Sequence, residues 1–186
     1  MDIIIGIDIG LTGALCFLDY YANDILSIYD MPVMNNGFSK NARKKTTLDI
    51  GRLNFILEIP TFHFESATVI IEDIHAFPGQ GVISVGTLLE QKGIVRGLAQ
   101  TLGYELVTVS PKTWQKHWNL VPPKGLKGKE PRKKWLKENS RLLASENYPE
   151  FSAKFDEVKS HGRSDACLIA QYYRDTYEVP SSPVKK

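Results

Sequence analysis

Cysteine is scarce in this sequence, and long uninterrupted apolar runs do not occur. The 186 residues include two cysteines, Cys16 and Cys167, which lie in apolar segments without a CxxC partner. This usage excludes a disulfide or zinc–thiolate framework and is typical of a reducing compartment, so we expect a cytoplasmic protein. The most apolar stretch, residues 3–18, is interrupted by Asp8 and by glycines, and the first residues lack the features of a secretory signal. We therefore expect no membrane partner.

The composition is that of one globular domain. Apolar residues make up 42% of the chain and charged residues 24%, which is too apolar for a disordered protein. A chain of this length is typical of a single hydrophobic core. We predict one domain over residues 1–178 and a mobile C-terminal tail at 179–186.

Positive charge is concentrated in one segment. Residues 112–137 contain nine Lys or Arg and one acidic residue, a net charge of +8, whereas the whole chain carries +2 and the remainder therefore −6. A lysine run alone is often a solvated loop. Here three tryptophans, Trp114, Trp118 and Trp135, are interleaved with the charge. Positive charge beside aromatic rings favours a polyphosphate partner, so we predict nucleic-acid binding.

Hydrophobic periodicity predicts an alternation of strands and helices. Two strands joined by a Gly-Leu-Thr-Gly turn are predicted within residues 2–17, and further strands at 25–31, 67–71 and 105–109. Helices are predicted at 48–57 with Thr47 as N-cap, 83–102, 111–118, 132–146 and 162–177, with loops at 35–45 and 121–131. The first three strands are antiparallel because their connections are too short for a crossover. The sequence predicts an α/β fold with a five-stranded mixed sheet flanked by helices.

Carboxylates interrupt the apolar pattern at three places. Asp8 lies inside a strand otherwise built for burial, and Glu72 and Asp73 close the strand at 67–71. Asp165 shares a helical face with apolar residues, and His161 shares it if the helix has begun by then. Burying unpaired carboxylates costs several kcal/mol, so a cluster of them demands a counter-charge. A divalent cation satisfies all of them together, and oxygen ligands suit Mg²⁺ or Mn²⁺.

Each of these residues also has a purely structural explanation. Asp8 can bond the amides of the Gly-rich turn, and Asp165 can stabilise the first turn of a helix through the macrodipole. His161 alone is more often a surface histidine than a ligand, and only one of Glu72 and Asp73 can face a given side of the strand. Together these explanations require separate coincidences, so we favour the metal site.

The first hairpin also resembles a different motif. Residues 8–13 read DIGLTG, which is similar to the phosphate-binding hairpin of the actin-like kinase superfamily. Those proteins place a nucleotide between two large lobes, and 186 residues are too few for both. We therefore expect no nucleotide cofactor.

Four motifs in order resemble the RuvC-type Holliday junction resolvases of the RNase H-like superfamily, and most closely their phage and plastid branches. The motifs are GIDIGLTGA at 6–14, VIIED at 69–73, VSPKTWQK at 109–116 and HGRSDACLIA at 161–170. The resemblance covers residues 3–175 and implies an RNase H-like nuclease domain. It also implies a C2 homodimer, for which we expect the helix at 83–102 to form the interface, and a bacterial or phage-infected host cytosol.

The resemblance implies roles for individual residues. The metal ligands match Asp8, Glu72 and Asp165, and they would hold two Mg²⁺ per active site, with Mn²⁺ as a substitute. Many members carry an acidic residue or a histidine three positions before the last carboxylate. That position is Gly162 here, so His161 is the candidate fourth ligand.

The resemblance also implies the residues that contact DNA. Lys116 matches a lysine that acts at the scissile region, and we include it among the catalytic candidates. His75 and Phe77 are the candidates for residues that enter the junction centre. The other predicted DNA contacts come from the basic segment: Lys112, Lys124, Lys127, Lys129, Arg132, Lys133 and Lys134.

The expected function is a metal-dependent, structure-selective endodeoxyribonuclease. It would resolve Holliday junctions by paired symmetric nicks, leaving 5′-phosphate and 3′-hydroxyl ends. Two alternatives remain open: a non-catalytic protein that binds branched nucleic acid, and a nuclease for other branched DNA or RNA–DNA hybrids. A binding module has no reason to place carboxylates near phosphate, because they oppose counterion release. The three carboxylates therefore favour the enzyme.

Overall fold

The computed structural model describes residues 2–36, 45–64, 66–74, 81–156 and 161–177. Its strands are β1 (Asp2–Asp8), β2 (Ala14–Asp19), β3 (Ile25–Asp30), β4 (Val33–Asn36), β5 (Lys45–Leu48), β6 (Ser66–Glu72) and β7 (Glu105–Val109). Its helices are α1 (Ile50–Glu58), α2 (Val82–Thr101), α3 (Pro111–His117), α4 (Lys129–Asn147), α5 (Ser152–Phe155) and α6 (His161–Thr176), with short 3₁₀ turns at Ile59–Phe62 and Pro149–Phe151.

Five of the strands form one mixed sheet in the order β3-β2-β1-β6-β7. β1, β2 and β3 pair antiparallel, and a tight turn closed by the Gly13 N–H donating to the Gly10 carbonyl at 3.0 Å joins the first two. β1 pairs parallel with β6, and β6 pairs parallel with β7, which is possible because helices connect these strands. The predicted five-stranded mixed sheet with its first three strands antiparallel is confirmed.

Helices cover both faces of the sheet. Alternate residues of β1 point to opposite faces, so Ile4 packs with α4 and α6 while Ile5 packs with α1 and α2. On β6 the same alternation sends Ile70 to the α6 face and Val69 to the α2 face. This alternation decides on which face of the sheet the carboxylate at the end of each strand lies.

Gly6 allows α6 to lie directly on β1. A Cβ atom at this position would collide with the Ala166 carbonyl oxygen and would lie 2.7 Å from the Ala170 amide nitrogen. A side chain would therefore push the helix away from the sheet. The close approach brings the α6 residue Asp165 over the end of β1.

The structure differs from the sequence prediction at two element boundaries before α1. The predicted loop at 35–45 begins and ends in strands, because β4 and β5 pair antiparallel as a separate two-stranded sheet. Thr47 lies in β5, and the N-cap of α1 is Asp49, whose carboxylate accepts a hydrogen bond from the Arg52 amide at 3.0 Å. The assignment of Thr47 as N-cap was wrong because an aspartate two residues later satisfies the free amides of the first turn.

The basic helix begins earlier than predicted. α4 starts at Lys129, although the sequence places a loop through Pro131. Proline is tolerated in the first turn of a helix, since the amides there have no intrahelical acceptor. Gly128, at φ +93°, supplies the left-handed backbone before the helix.

Two further predictions concern the ends of the chain and its relation to membranes. Among the described residues, no helix is long and apolar enough to cross a membrane. The predicted tail at 179–186 lies outside the described residues, so its assignment stays a prediction.

Candidate active site

Two strand ends and one helix bring three carboxylates into one cleft. Asp8 ends β1 and Glu72 ends β6, on neighbouring parallel strands whose last paired residues are Ile7 and Ile71. Both side chains lie on the α6 face, where Asp165 occupies the second turn of α6. The three residues line a cleft of about 410 Å³ together with His161.

Burial raises the pKa of all three carboxylates, and neighbouring negative charges add to the rise at Asp8 and Asp165. Burial raises the pKa of Asp8 well above its ordinary value, and the charges of Asp165 and Glu72 raise it further. Burial also raises the pKa of Asp165 to about 7, with Glu72 adding to the rise, and it raises the pKa of Glu72. Shifts of this kind arise where like charges share a desolvated site. The three carboxylates therefore repel one another when they are ionised, and a bound cation or bound protons reduce this repulsion.

Neighbouring groups hold two of these carboxylates in place. The Trp114 Nε1–H of α3 donates to Glu72 Oε1 at 2.6 Å, and this hydrogen bond lowers the Glu72 pKa against the effect of burial. Trp114 itself is buried. The buried Ser140 hydroxyl of α4 acts on Asp165 in the same direction. α3 thus orients the acidic side chain at the end of β6, and α4 orients the acidic side chain of α6.

Lys133 and Lys137 lie one helical turn apart on α4 and both line the cleft. The charge of Lys137 lowers the pKa of both Asp8 and Asp165, which opposes the effect of burial. These lysines place positive charge beside the carboxylates, which favours the approach of a phosphate to the cleft.

His161 lines the cleft one turn before Asp165. Burial lowers the pKa of His161, and the charges of Lys137 and Lys133 lower it further, which favours the neutral imidazole. A Cβ atom at Gly162 would lie 2.5 Å from the Thr12 carbonyl oxygen and 2.7 Å from the Gly13 Cα atom. No side chain fits at residue 162, so His161 is the neighbouring residue whose side chain lies at the cleft.

The donor set suits a divalent cation, although the side chains do not form a closed cage. Among the described residues, Asp165 Oδ1 and His161 Nδ1 are buried side-chain atoms without a hydrogen-bond partner. Buried polar atoms normally have partners, so these two point to a ligand. In the described part of the chain, no set of three or more His, Cys, Asp or Glu side chains is arranged to hold a metal ion. One Glu72 oxygen is already engaged by Trp114. The oxygen donors of the site are of the kind that Mg²⁺ and Mn²⁺ prefer.

The other predicted basic residues lie outside this cleft. Lys112 and Lys116 line a neighbouring surface pocket with His117 and Tyr172. The structure does not bring Lys116 to the carboxylates, because α3 turns Trp114 and Gln115 toward them and a residue two positions after Trp114 points away. The remaining basic residues, Lys124, Lys127, Lys129, Arg132 and Lys134, are exposed before and along the start of α4.

Two of the three tryptophans of the basic segment donate hydrogen bonds to other groups of the protein. Trp114 is buried against Glu72, and the Trp118 Nε1–H donates to the Leu168 carbonyl at 3.0 Å. The prediction that these rings flank bound nucleic acid was wrong for Trp114, because burial removes its faces from contact with a base. His75 and Phe77, the candidates for the junction centre, lie outside the described residues.

Sequence reasoning missed three residues of the cleft: Trp114 as a partner of Glu72, Ser140 and Lys137. One signal was available for the α4 residues. Residues 133, 137, 140 and 144 follow helical spacing, and Ser140 and Ala144 are small, which is typical of a helix face that packs closely. The Trp114 hydrogen bond joins residues 42 positions apart and had no local signal.

Comparison with known proteins identifies the architecture. No protein-family model matches the sequence, and no curated protein matches it. The structure is similar to that of Thermus thermophilus RuvC in complex with Holliday junction substrate, with 14% identity, a TM-score of 0.53 and coverage of 94% of this chain and 96% of that one. Two further similar structures are Thermus thermophilus RuvC (16% identity, TM-score 0.44, coverage 93% and 95%) and the yeast mitochondrial Holliday junction resolvase Ydc2 (16%, 0.48, 92% and 77%). The match to the first structure, with the sheet order and the flanking helices, shows that this chain has the RuvC-type resolvase fold of the RNase H-like class.

Proposed function

We propose that this protein is a structure-selective endodeoxyribonuclease that resolves Holliday junctions by paired symmetric nicks, leaving 5′-phosphate and 3′-hydroxyl ends. The observation that carries the proposal is the cleft in which Asp8, Glu72 and Asp165 lie beside Lys133 and Lys137. Clustered carboxylates under a basic rim suit hydrolysis of a phosphodiester and have no use in a protein that only binds DNA. The RuvC structure with the same fold is a complex with Holliday junction substrate, which supports branched DNA as the partner.

Asp8, Glu72, Asp165 and His161 are the residues that would hold Mg²⁺ or Mn²⁺, two ions per site. Such ions, when bound, activate water and neutralise charge at a scissile phosphate. Asp8 and Asp165, whose pKa values burial raises, supply the charge that favours cation binding once they are ionised. His161 would act in its neutral form, which its lowered pKa favours. Its Nδ1 has no hydrogen-bond partner among the described residues and is the atom that would bind a cation or accept a proton.

The basic residues around the cleft would hold the DNA arms. Lys133 and Lys137 line the cleft, and Lys112 and Lys116 line the pocket beside it. Together with Lys124, Lys127, Lys129, Arg132 and Lys134, they extend positive charge from α3 through the start of α4. Phosphate neutralisation by such a surface gives affinity without sequence preference. We expect binding to weaken steeply as salt concentration rises.

Paired nicks require two active sites, so we propose a homodimer that acts in the cytoplasm of a bacterium or a phage-infected host. α2 is the proposed interface because it exposes Val82 and Ile83 almost completely. A Cβ atom built at Gly93 or Gly97 meets no atom within 4 Å, so this face of α2 is open to the close approach of a second helix.

A panel of branched and linear DNAs tests the proposed function. Purified protein is incubated in Mg²⁺ with four-way junctions, flaps, Y-forks, RNA–DNA hybrids and linear duplex, and the nick positions are mapped on both strands. We expect symmetric dual incision of the four-way junction, dependent on the metal. Equal cutting of flaps or hybrids would replace the resolvase assignment by a broader nuclease. Tight junction binding without cutting under any metal would favour the non-catalytic alternative.

Lys137→Ala is expected to lower the junction cleavage rate about tenfold to hundredfold with little change in junction affinity. Its ammonium lies in the cleft and lowers the pKa of both aspartates, so its loss affects the reacting site. Lys116→Ala is the matched control, because Lys116 lies in the neighbouring pocket. It should weaken binding about threefold and leave the rate at saturating DNA unchanged. Single-turnover cleavage and junction titration in Ca²⁺ measure the two quantities; a larger rate loss for Lys116→Ala would contradict the placement.

A further inference from the structure

Two consecutive carboxylates at the end of β6 are held on opposite faces of the sheet. Glu72 faces α3 and α6, where its Oε1 accepts the Trp114 Nε1–H at 2.6 Å. Asp73 faces α2, where its Oδ1 accepts a hydrogen bond from Lys92 Nζ at 2.7 Å. Glu72 therefore lies in the cleft, whereas Asp73 forms an ion pair with the Lys92 ammonium.

Lys92 is an unusual residue for the inner face of α2. It is 9% exposed, and its neighbours on that face, Val95 and Ala99, belong to the hydrophobic core. Its ammonium also donates to the Ile74 carbonyl at 3.2 Å, so one group contacts both residues that follow Glu72. A lysine is rarely buried without a partner whose charge balances it. The Lys92 ammonium is thus held in place by the two residues that follow β6.

The backbone at this point is fixed from the β7 side as well. The Asp73 N–H donates to the Val109 carbonyl at 2.7 Å, which extends the pairing of β6 and β7 one residue beyond Glu72. Lys92 holds the same residue from the side of α2. Strand alternation directs Glu72 to the α6 face, and these contacts fix the backbone of the residue that follows it.

We propose that Lys92 is a positioning residue that neutralises Asp73 and thereby leaves Glu72 as the carboxylate that β6 supplies to the cleft. This inference rests on the proposed function, because it assumes that the cleft binds a divalent cation. Lys92 adds one positive charge next to the acidic residues without lying among them. Lys92 and Asp73 each carry one charge at the strand end that bears Glu72, so the ion pair adds no net charge beside the cleft.

The proposal predicts opposite effects from removing either partner. Lys92→Met removes a positive charge near the site and should tighten Mn²⁺ binding about threefold, whereas Asp73→Asn removes a negative charge and should weaken it about threefold. The double variant restores the net charge and should bind Mn²⁺ as the wild type does, within twofold. A role confined to packing of the lysine stem would weaken binding in both variants that lack Lys92.

The measurement is calorimetric titration of the metal-free, full-length protein with Mn²⁺, in the absence of DNA. Lys92→Arg keeps the charge and the donors, so it should retain wild-type affinity. Arg96→Met is the matched control, since Arg96 is an exposed cation on the same helix, four residues further on. It should leave the affinity within twofold of wild type. Thermal unfolding of each variant confirms that it is folded.

Shifts in the same direction for Lys92→Met and Asp73→Asn, or a double variant that does not return to the wild-type affinity, would overturn the inference. The outcome can be separated from that of the proposed function. If the wild type binds Mn²⁺ with the opposed pattern but cuts no branched DNA, the role of Lys92 stands and the nuclease assignment fails. If the wild type cuts junctions without the opposed pattern, the role of Lys92 fails alone. A wild type that binds no Mn²⁺ overturns both.

Discussion

Replacing Asp8 or Asp165 by asparagine is expected to lower Mg²⁺-dependent cleavage of a four-way junction at least about 1,000-fold. The substitution keeps the shape of the side chain and removes its charge. Both residues line the cleft with Glu72, and their raised pKa values show that they interact. Metal-assisted charge stabilisation contributes several kcal/mol to phosphodiester hydrolysis, and each 1.36 kcal/mol is tenfold in rate. Single-turnover rates at saturating protein measure the loss.

Junction binding should survive the same substitutions, because the basic residues are unchanged and a repulsive carboxylate has been removed. Asp24→Asn is the control, since Asp24 is exposed beside β3 and away from the cleft. Its rate should equal that of the wild type. Cleavage by Asp8→Asn or Asp165→Asn within tenfold of wild type would show that these carboxylates do not hold the catalytic ions.

The metal-free protein is expected to lose about 2 kcal/mol of stability as the pH rises from 5 to 8. Burial raises the pKa of Asp165 from 3.8 to about 7, and the pKa of Asp8 is raised in the same direction. A carboxyl group with a raised pKa in the folded state favours folding while it is protonated. Its contribution is complete below the unfolded-state value and is lost as the pH rises through the folded value. For a chain of this length the loss corresponds to about 4 to 8 °C in Tm.

Asp165→Asn isolates this effect, because the amide cannot ionise. The variant should equal the wild type below about pH 4, where Asp165 is protonated in both the folded and the unfolded state, and exceed it in stability at pH 8, both without metal. Mg²⁺ at pH 8 should stabilise the wild type more than the variant, since binding favours the folded state. Thermal unfolding across the pH range in EDTA and in Mg²⁺ gives both comparisons. Equal slopes of Tm against pH for the two proteins would refute the assignment of the raised pKa to Asp165.

Local patterns were enough to predict the strands that carry the acidic residues. Ile3 to Ile7 form a continuous apolar run, and Asp8 interrupts it at a position where strand alternation places it beside Glu72. The order of the first three strands followed from short connections, because a hairpin leaves no room for a crossover. β4 and β5 were missed since both are short and their residues do not alternate clearly between polar and apolar. Each of these two strands is stabilised by its pairing with the other, so neither segment alone predicts a strand.

Contacts between distant residues set the rest of the cleft. The hydrogen bond from Trp114 to Glu72 and the ion pair of Lys92 with Asp73 depend on how α3 and α2 pack, which no local pattern encodes. The resemblance implied a ligand at residue 162, which is a glycine here, and the structure shows that no side chain fits at this position. The Thr12 carbonyl occupies the space that a side chain would need, so His161 is the neighbouring residue whose side chain reaches the cleft.

Because α6 contacts Gly6 directly, the acidic centre tolerates few substitutions, whereas α4 tolerates many. Asp8 and Asp165 belong to backbones that touch directly, so their separation varies little with side-chain substitutions elsewhere. α4 buries only Ser140 and Ala144 fully among its described residues, and most of its basic positions face solvent. Mutation can therefore reshape the basic, solvent-facing side of α4 while the acidic centre stays intact. Under the proposed function, the choice among branched substrates can change at exposed α4 positions while the chemistry is conserved, so these positions are where a designer would begin to alter that choice.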